Sequence, residues 1–262
     1  MSFDHATVAQ IAEHLENAEL QARNVTRITE DYPHFDCDDA YAVQKELRRR
    51  KESRGQRTVG LKIGVTSHAK MTQLDIDTPV FGFVSDYMAC VDGSDIRISE
   101  LIQPMVEAAI CFVTKAPLKG PGCHVGAVLA ATDFVIPAIE VIDSRYHDFK
   151  FDLNSVIADN ASASRFVVGT RQRDAAELDL RTLGVVLEKN GEIVALGAGA
   201  AVLGHPAAAI SLLADKLGRE GAEIPAGTFI MTGGLTEAIP VTDGDAIHVR
   251  FQELGSVSMR FV

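Results

Sequence analysis

Val59-Gly60-Leu61-Lys62-Ile63-Gly64-Val65-Thr66-Ser67 places a lysine between two glycines inside an otherwise apolar, strand-like run. Alternation with period two sends Leu61, Ile63 and Val65 to one face and Gly60, Lys62, Gly64 and Thr66 to the other. Neighbours without side chains leave room for a ligand to approach the backbone and the ammonium together. An edge-strand lysine that discourages aggregation, or one that snorkels to solvent, fits the same pattern. The run also marks a change of periodicity, because helical spacing lies before it and strand signals follow it.

Before the run, Val8, Ile11, Ala12, Leu15 and Ala18 recur at helical spacing over residues 6 to 20. A second helix is predicted from Asp38 or Asp39, with Ala40, Val43 and Leu47 on one face and a stop at Gly55. The basic run Arg48-Arg49-Arg50-Lys51 falls near its C-terminus, where cations complement the helix dipole on a solvated face. After the run, strands are predicted over 105–114, 138–142, 228–232, 246–252 and 256–262, the second of them entered through Pro137. Short helices are predicted over 124–132 and from Pro206 to about Gly221. Asn190-Gly191, between two apolar runs spanning 185–197, is the signature of a type I′ hairpin. Helices first and strands afterwards argue against a doubly wound sheet. The expected fold class is α+β, with a mixed, largely antiparallel β core and a small N-terminal helical lobe, divided as 1–58 and 59–262.

The 262 residues include 36 acidic and 25 basic side chains, a formal charge of −11, with 47% hydrophobic content. That composition suits a globular core and disfavours general attraction to nucleic acid or anionic membrane. Any anionic ligand must be held by local cations. The start, Met-Ser-Phe-Asp-His-Ala, lacks the regions of a signal peptide, and the apolar stretch Val125 to Ile142 is interrupted by Asp133 and Pro137. A cytoplasmic protein is expected. Cys37, Cys90, Cys111 and Cys123 are scattered, which suggests neither a disulfide framework nor a structural zinc site. Gly197-Ala198-Gly199 follows a hairpin strand and reads as close backbone packing, not a nucleotide loop.

Glu107 and Glu140 each interrupt an apolar strand, where a lone carboxylate is costly. A hard divalent cation such as Mg²⁺ would satisfy both, with water and substrate oxygens completing the octahedron. Structural salt bridges, Glu140 with Arg145 or Arg165, would serve as well. The polar clusters Asp143-Ser144-Arg145 and Asp159-Asn160-Ala161-Ser162 follow closely and converge if the sheet closes. His68, His124 and His205 have no companions at metal-ligand spacing, and His205 before Pro206 suits a helix N-terminus. Ser162 lacks a nucleophile elbow and is better placed to orient a substrate carboxylate.

The segments Gly60–Ser67, Pro137–Arg145, Ala158–Ser162 and Met231-Thr232-Gly233-Gly234 resemble the hydratase/decarboxylase family of meta-cleavage aromatic degradation, and the likeness runs essentially end to end. Phe112–Leu118, Gly120–His124 and Asp143–Tyr146 resemble its decarboxylase branch. The resemblance implies a fumarylacetoacetase-like fold, Mg²⁺ or Mn²⁺, and partnership with the hydratase of the next step. Carried over residue by residue, it implies Glu107 and Glu140 as metal ligands, Lys62 and Ser162 as catalytic residues, and Leu74 and Val80 on the substrate wall. Hydratases of the family resemble Pro-Asp-Phe/Tyr-Gly where this chain has Pro79-Val80-Phe81-Gly82, so the implied activity is decarboxylation of (3E)-2-oxohex-3-enedioate. The family's Glu-x-Glu is Glu107-Ala108-Ala109 here, which leaves one ligand position to water or to a nearby acid such as Asp143.

Overall fold

The computed structural model describes residues 3–67, 71, 72, 76 and 78–262. The chain opens with α1 (His5–Leu20), a single turn α2 (Ile28–Asp31) and α3 (Cys37–Ser53). Asp4 caps α1 through the Thr7 amide, and Asp36 and Asp39 form a reciprocal capping box on α3, which satisfies donors the helices leave open. The predicted apolar stripes are buried: Val8, Ile11, Ala12, Leu15 and Ala18 of α1 meet Ala40, Val43 and Leu47 of α3 in one cluster. That cluster also takes in Val80, Phe83, Tyr146 and 156–158.

The basic run of α3 divides. Arg48, Arg49 and Arg50 pair with Glu52, Glu46 and the α1 residues Glu13 and Glu16, as a charged face would. Lys51 departs from that expectation. It is buried, with its amine on Glu19 of α1 and on the Tyr87 hydroxyl, and the Tyr87 hydroxyl donates to Glu19 in turn. Burial pulls the Lys51 ammonium below the usual lysine range, against the opposing pull of Glu19.

Strands follow in the order β1 (Thr58–Gly64), β2 (Val80–Ser85), β3 (Ala89–Cys90), β4 (Asp95–Ile96), β5 (Met105–Thr114), β6 (Thr132–Ile142) and β7 (Ala163–Val168). Then come β8 (Gly184–Lys189), β9 (Glu192–Ala198), β10 (Phe229–Gly234), β11 (Ile239–Pro240), β12 (Ala246–Phe251) and β13 (Gly255–Phe261). Among the described residues, the helices α4 (Val125–Ala131), α5 (Leu153–Ala158) and α6 (Pro206–Arg219) lie between these strands. Among the described residues, one sheet runs β2-β1-β10-β5-β6-β7-β3 with β11 on β5, and a second runs β4-β13-β12-β8-β9. Most pairings are antiparallel; β1 with β10, β13 with β4 and β3 with β7 are parallel. The α+β class with a mixed, largely antiparallel core is therefore the observed one. β13 packs across β6 and β7, and Ile110, Phe112, Val135, Leu187, Val249 and Phe261 share the larger apolar core.

Two sequence expectations fail locally. Pro137 does not precede a strand but lies inside β6, opposite Ile110 and just beyond the Ala138–Val168 rung that ends the β7 ladder, where a missing N–H is tolerated. Val65 does not continue the alternation of β1: the strand stops at Gly64 and Val65 turns left-handed, at φ 54°. The Asn190-Gly191 turn is as expected, with both residues at positive φ. His205 caps α6 by accepting the Ala207 amide.

Asp245, just before β12, ties the entry of that strand to the β8–β9 hairpin. Its carboxylate accepts from Asn190 Nδ2 at 2.8 Å and from the Thr242 amide at 2.7 Å, and pairs with Lys189 at 2.8 Å. Burial opposes the charge, but these donors outweigh it and hold the carboxyl down at about 2 against 3.8. A folded-state value below the unfolded one means stability present above pH 4 and lost as pH falls through 4 toward 2. Asp245→Asn is expected to cost about 2 kcal/mol at pH 7. Urea unfolding at pH 7 and at pH 3 checks this, the gap between the two proteins narrowing at the lower pH.

Candidate active site

β5 and β6 place Glu107 and Glu140 on one rung of an antiparallel ladder, so both carboxylates leave the sheet on the same face. Lys62 stands three strands away, across β10 and β5. Three strand spacings of a flat sheet amount to about 14 Å. Yet the Lys62 amine forms an ion pair with Glu140, so the sheet is curled enough to bring β1 back over β6. All three side chains are buried.

The curl is fastened at its open end by residues 159–163. The Asn160 side-chain amide behaves as a short piece of strand: its Nδ2 donates to Phe83 O and its Oδ1 accepts from Phe83 N, both at 2.9 Å. This covers the edge of β2. Gly82 makes it possible, since a Cβ there would lie 2.7 Å from Asn160 Oδ1. The next carbonyl, that of Ala161, accepts from the Lys62 amine at 2.6 Å. Asn160, Ala161 and Ser162 all have φ between 51° and 55°, three consecutive left-handed residues, none of them glycine. Asp159, which opens the turn, is fully buried against Arg145, whose guanidinium also donates to the carbonyls of Asp143 and Ala163. Burial pushes the Asp159 carboxyl upward while Arg145 pulls it back down.

A cavity of about 1150 Å³ opens on this arrangement. Lys62, Val80, Glu107, Glu140 and Ser162 all line it, so the structure gathers five of the six residues singled out from sequence. Leu74, like His68, lies outside the described residues. Val80 is buried in the wall facing Gly64, and Ser162 Oγ is 3.5 Å from Asp159 Oδ2. Gly64 and the left-handed Val65 also line the cavity. The proposed salt bridges of Glu140 are not formed: Arg145 serves Asp159 and Arg165 serves Glu100. Asp143 does not fill the position left by Ala109, because its carboxylate accepts from the Ile102 and Gln103 amides.

Two buried carboxylates on one rung are hard oxygen donors of the kind that suits Mg²⁺ or Mn²⁺. No group of three or more His, Cys, Asp or Glu that could hold a metal ion gathers among the described residues. Gly234 fits this use of Glu107, since a Cβ there would fall 1.9 Å from Glu107 Oε2. Sequence reasoning brought the polar cluster at 159–162 toward the site but gave no sign that Arg145 and Asn160 hold it. Ala and Ser are not residues that signal a left-handed backbone.

The fold is of the fumarylacetoacetase-like class, with two buried carboxylates and an ammonium facing one cavity. A fumarylacetoacetate hydrolase family protein from Yersinia pestis CO92 matches with TM-score 0.58 at 15% identity over 77% of this chain and 92% of its own, a likeness of fold alone. The chain is 61% identical over 97% of both lengths to 4-oxalocrotonate decarboxylase of Pseudomonas sp. strain CF600. It is 39% identical to 2-oxo-hept-4-ene-1,7-dioate hydratase of Escherichia coli, over 99% of this chain and 100% of that one. The solved 4-oxalocrotonate decarboxylase from Pseudomonas putida G7, complexed with magnesium and adipate, superposes with TM-score 0.97 at 57% identity, over 100% of this chain and 99% of that one. No protein-family profile matches. The chain belongs to the hydratase/decarboxylase family, on its 4-oxalocrotonate decarboxylase branch.

Gly234→Ala is expected to displace the Glu107 carboxylate and weaken Mg²⁺ binding about ten- to a hundredfold, as disturbed ligand supports do. Titration calorimetry with Mg²⁺ measures it, with circular dichroism verifying the fold.

Proposed function

We propose that the protein decarboxylates (3E)-2-oxohex-3-enedioate, 4-oxalocrotonate, to 2-hydroxypenta-2,4-dienoate and CO2, using Mg²⁺ held by Glu107 and Glu140. The observation that carries this reading is one cavity in which Lys62 touches Glu140 while apolar Val80 forms part of the wall.

The C6 carboxylate of the substrate is borne on C5, the saturated carbon next to the C2–C4 enone, so the substrate is a vinylogous β-keto acid. When C5–C6 breaks, its electron pair forms C4–C5, the C3–C4 pair moves to C2–C3, and the ketone oxygen takes the negative charge. When bound, the divalent ion supplies Lewis acidity to that ketone and a template for the adjoining carboxylate. Lys62 stabilises the developing oxyanion and delivers the proton that makes it an enol. Its fixed place between Ala161 O and Glu140 means that little reorganisation is needed as charge moves. Ser162 orients a substrate carboxylate. Val80, with Leu74, favours neutral CO2 over the carboxylate it came from. The family's hydratases resemble this chain with an aspartate at Val80; valine cannot carry a proton to or from water.

The same reading places the protein in the cytoplasm and in complex with the hydratase that consumes the dienol. Among the described residues no helix is long and apolar enough to cross a membrane. Co-purification with that hydratase tests the pairing.

CO2 release from the synthetic dicarboxylate should depend on Mg²⁺ and be abolished by chelation, with no loss of the dienol chromophore of added 2-hydroxypentadienoate. Consumption of the dienol without CO2 release would make the protein a hydratase. Lys62→Ala is expected to lower kcat by about a hundredfold or more. Ala109→Glu adds a third carboxylate on the Glu107 face and is expected to tighten Mg²⁺ binding about tenfold. If turnover appears only in Ala109→Glu, the chain serves as a metal-site-impaired scaffold for the hydratase.

A further inference from the structure

The assignment of Lys62 to the reaction leaves open what sets its amine in place. Its own strand does not, because the contacts that fix it come from residues about a hundred positions later. The Ala161 carbonyl, 2.6 Å from the amine, points at it only because Asn160, Ala161 and Ser162 run left-handed. Nothing intrinsic to those three residues favours that conformation. What imposes it is a staple. The Arg145 guanidinium takes Asp159 by its side chain and its carbonyl, reaches past the turn to Ala163 O at 3.1 Å, and takes Asp143 O, at the end of β6, at 2.8 Å. Entry and exit of the turn are thus held by one planar group, which only arginine supplies. From the other side, Asn160 locks the turn to the backbone of β2, beside Gly82, the residue that pairs with Lys62.

We propose that Arg145, through the left-handed turn 159–163 that it clamps, is the positioning residue for Lys62, with Asn160 as the second hold on the same turn. Arg145 does not line the cavity, so it acts on the reaction only through the Ala161 carbonyl and the amine that carbonyl fixes. The proposal rests on the role given to Lys62 above and deepens it.

Arg145→Lys keeps the charge and loses the fork; Asn160→Ala removes the second hold without leaving a buried charge. Each is tested in the Mg²⁺-loaded protein by steady-state kinetics and by the ¹⁵Nζ signal of Lys62, assigned by its absence in Lys62→Ala. Both variants are expected to lower kcat about tenfold or more with KM within about threefold of the parent, and both to shift or broaden the Lys62 signal. Should Arg145→Lys fail to fold, Asn160→Ala decides alone. A fall in kcat with the Lys62 signal unmoved would overturn the positioning role. A moved signal with unchanged kcat would uphold it and overturn the catalytic role of Lys62 instead.

Discussion

Two carboxylates that face each other across one rung of a buried ladder are the constraint around which this molecule is arranged. Like charges on neighbouring strands repel, and burial strengthens the repulsion. The fold answers by curling the sheet until an ammonium from a distant strand reaches one of them. Glu107, Glu140 and Lys62 together carry a formal charge of −1. A divalent cation on the carboxylates changes the sign of that total. On the proposed function, that is the sign that draws a dianionic substrate into a chain whose formal charge is −11. Acidic protein and anionic substrate are compatible because the attraction is local.

Glycines and strand edges are placed in service of the same curl. Gly82 lets the Asn160 amide lie against β2, and Gly234 gives the Glu107 carboxylate its space. A side chain at either position would meet the very atoms that hold the site. Asn160 also pairs the Phe83 rung on the open edge of β2. The device that closes the sheet therefore also orders the cavity wall, and closure and chemistry share residues.

Local patterns in the sequence were enough for the elements themselves. Period-two alternation gave β5 with Glu107 in it, Asn190-Gly191 gave the hairpin, and helical spacing gave α1 and α3. The carboxylates and the lysine stood out because each breaks its local pattern, whereas Val80 was singled out only by the family resemblance. What stayed hidden is nonlocal. No short window shows that β1 pairs in parallel with β10, or that β1 arches over β6. Lys51 read as part of a solvated run because its partners, Glu19 and Tyr87, lie 32 and 36 residues away. Arg145 was read beside Glu140, its neighbour in sequence, whereas burial and the turn give it to Asp159.

Backbone strain in the described residues is not spread evenly. Of the non-glycine residues at positive φ, Val65, Asp148, Phe149, Ala161 and Ser162 line the cavity, and Asn160 adjoins Ala161. A left-handed conformation costs an L-residue about 1 kcal/mol or more, and more for a β-branched side chain such as Val65. Those at Val65 and 160–162 together amount to a cost comparable with a large fraction of a domain's net stability. Such a cost persists only where surrounding contacts over-determine the geometry, and here they do: a buried guanidinium, a side-chain amide bonded at both ends, and Gly233, itself left-handed and packed against Thr66. Stability given up at these positions fixes the amine and the cavity wall before substrate arrives. That is the condition under which a single ammonium stabilises a transient oxyanion without first having to reorganise.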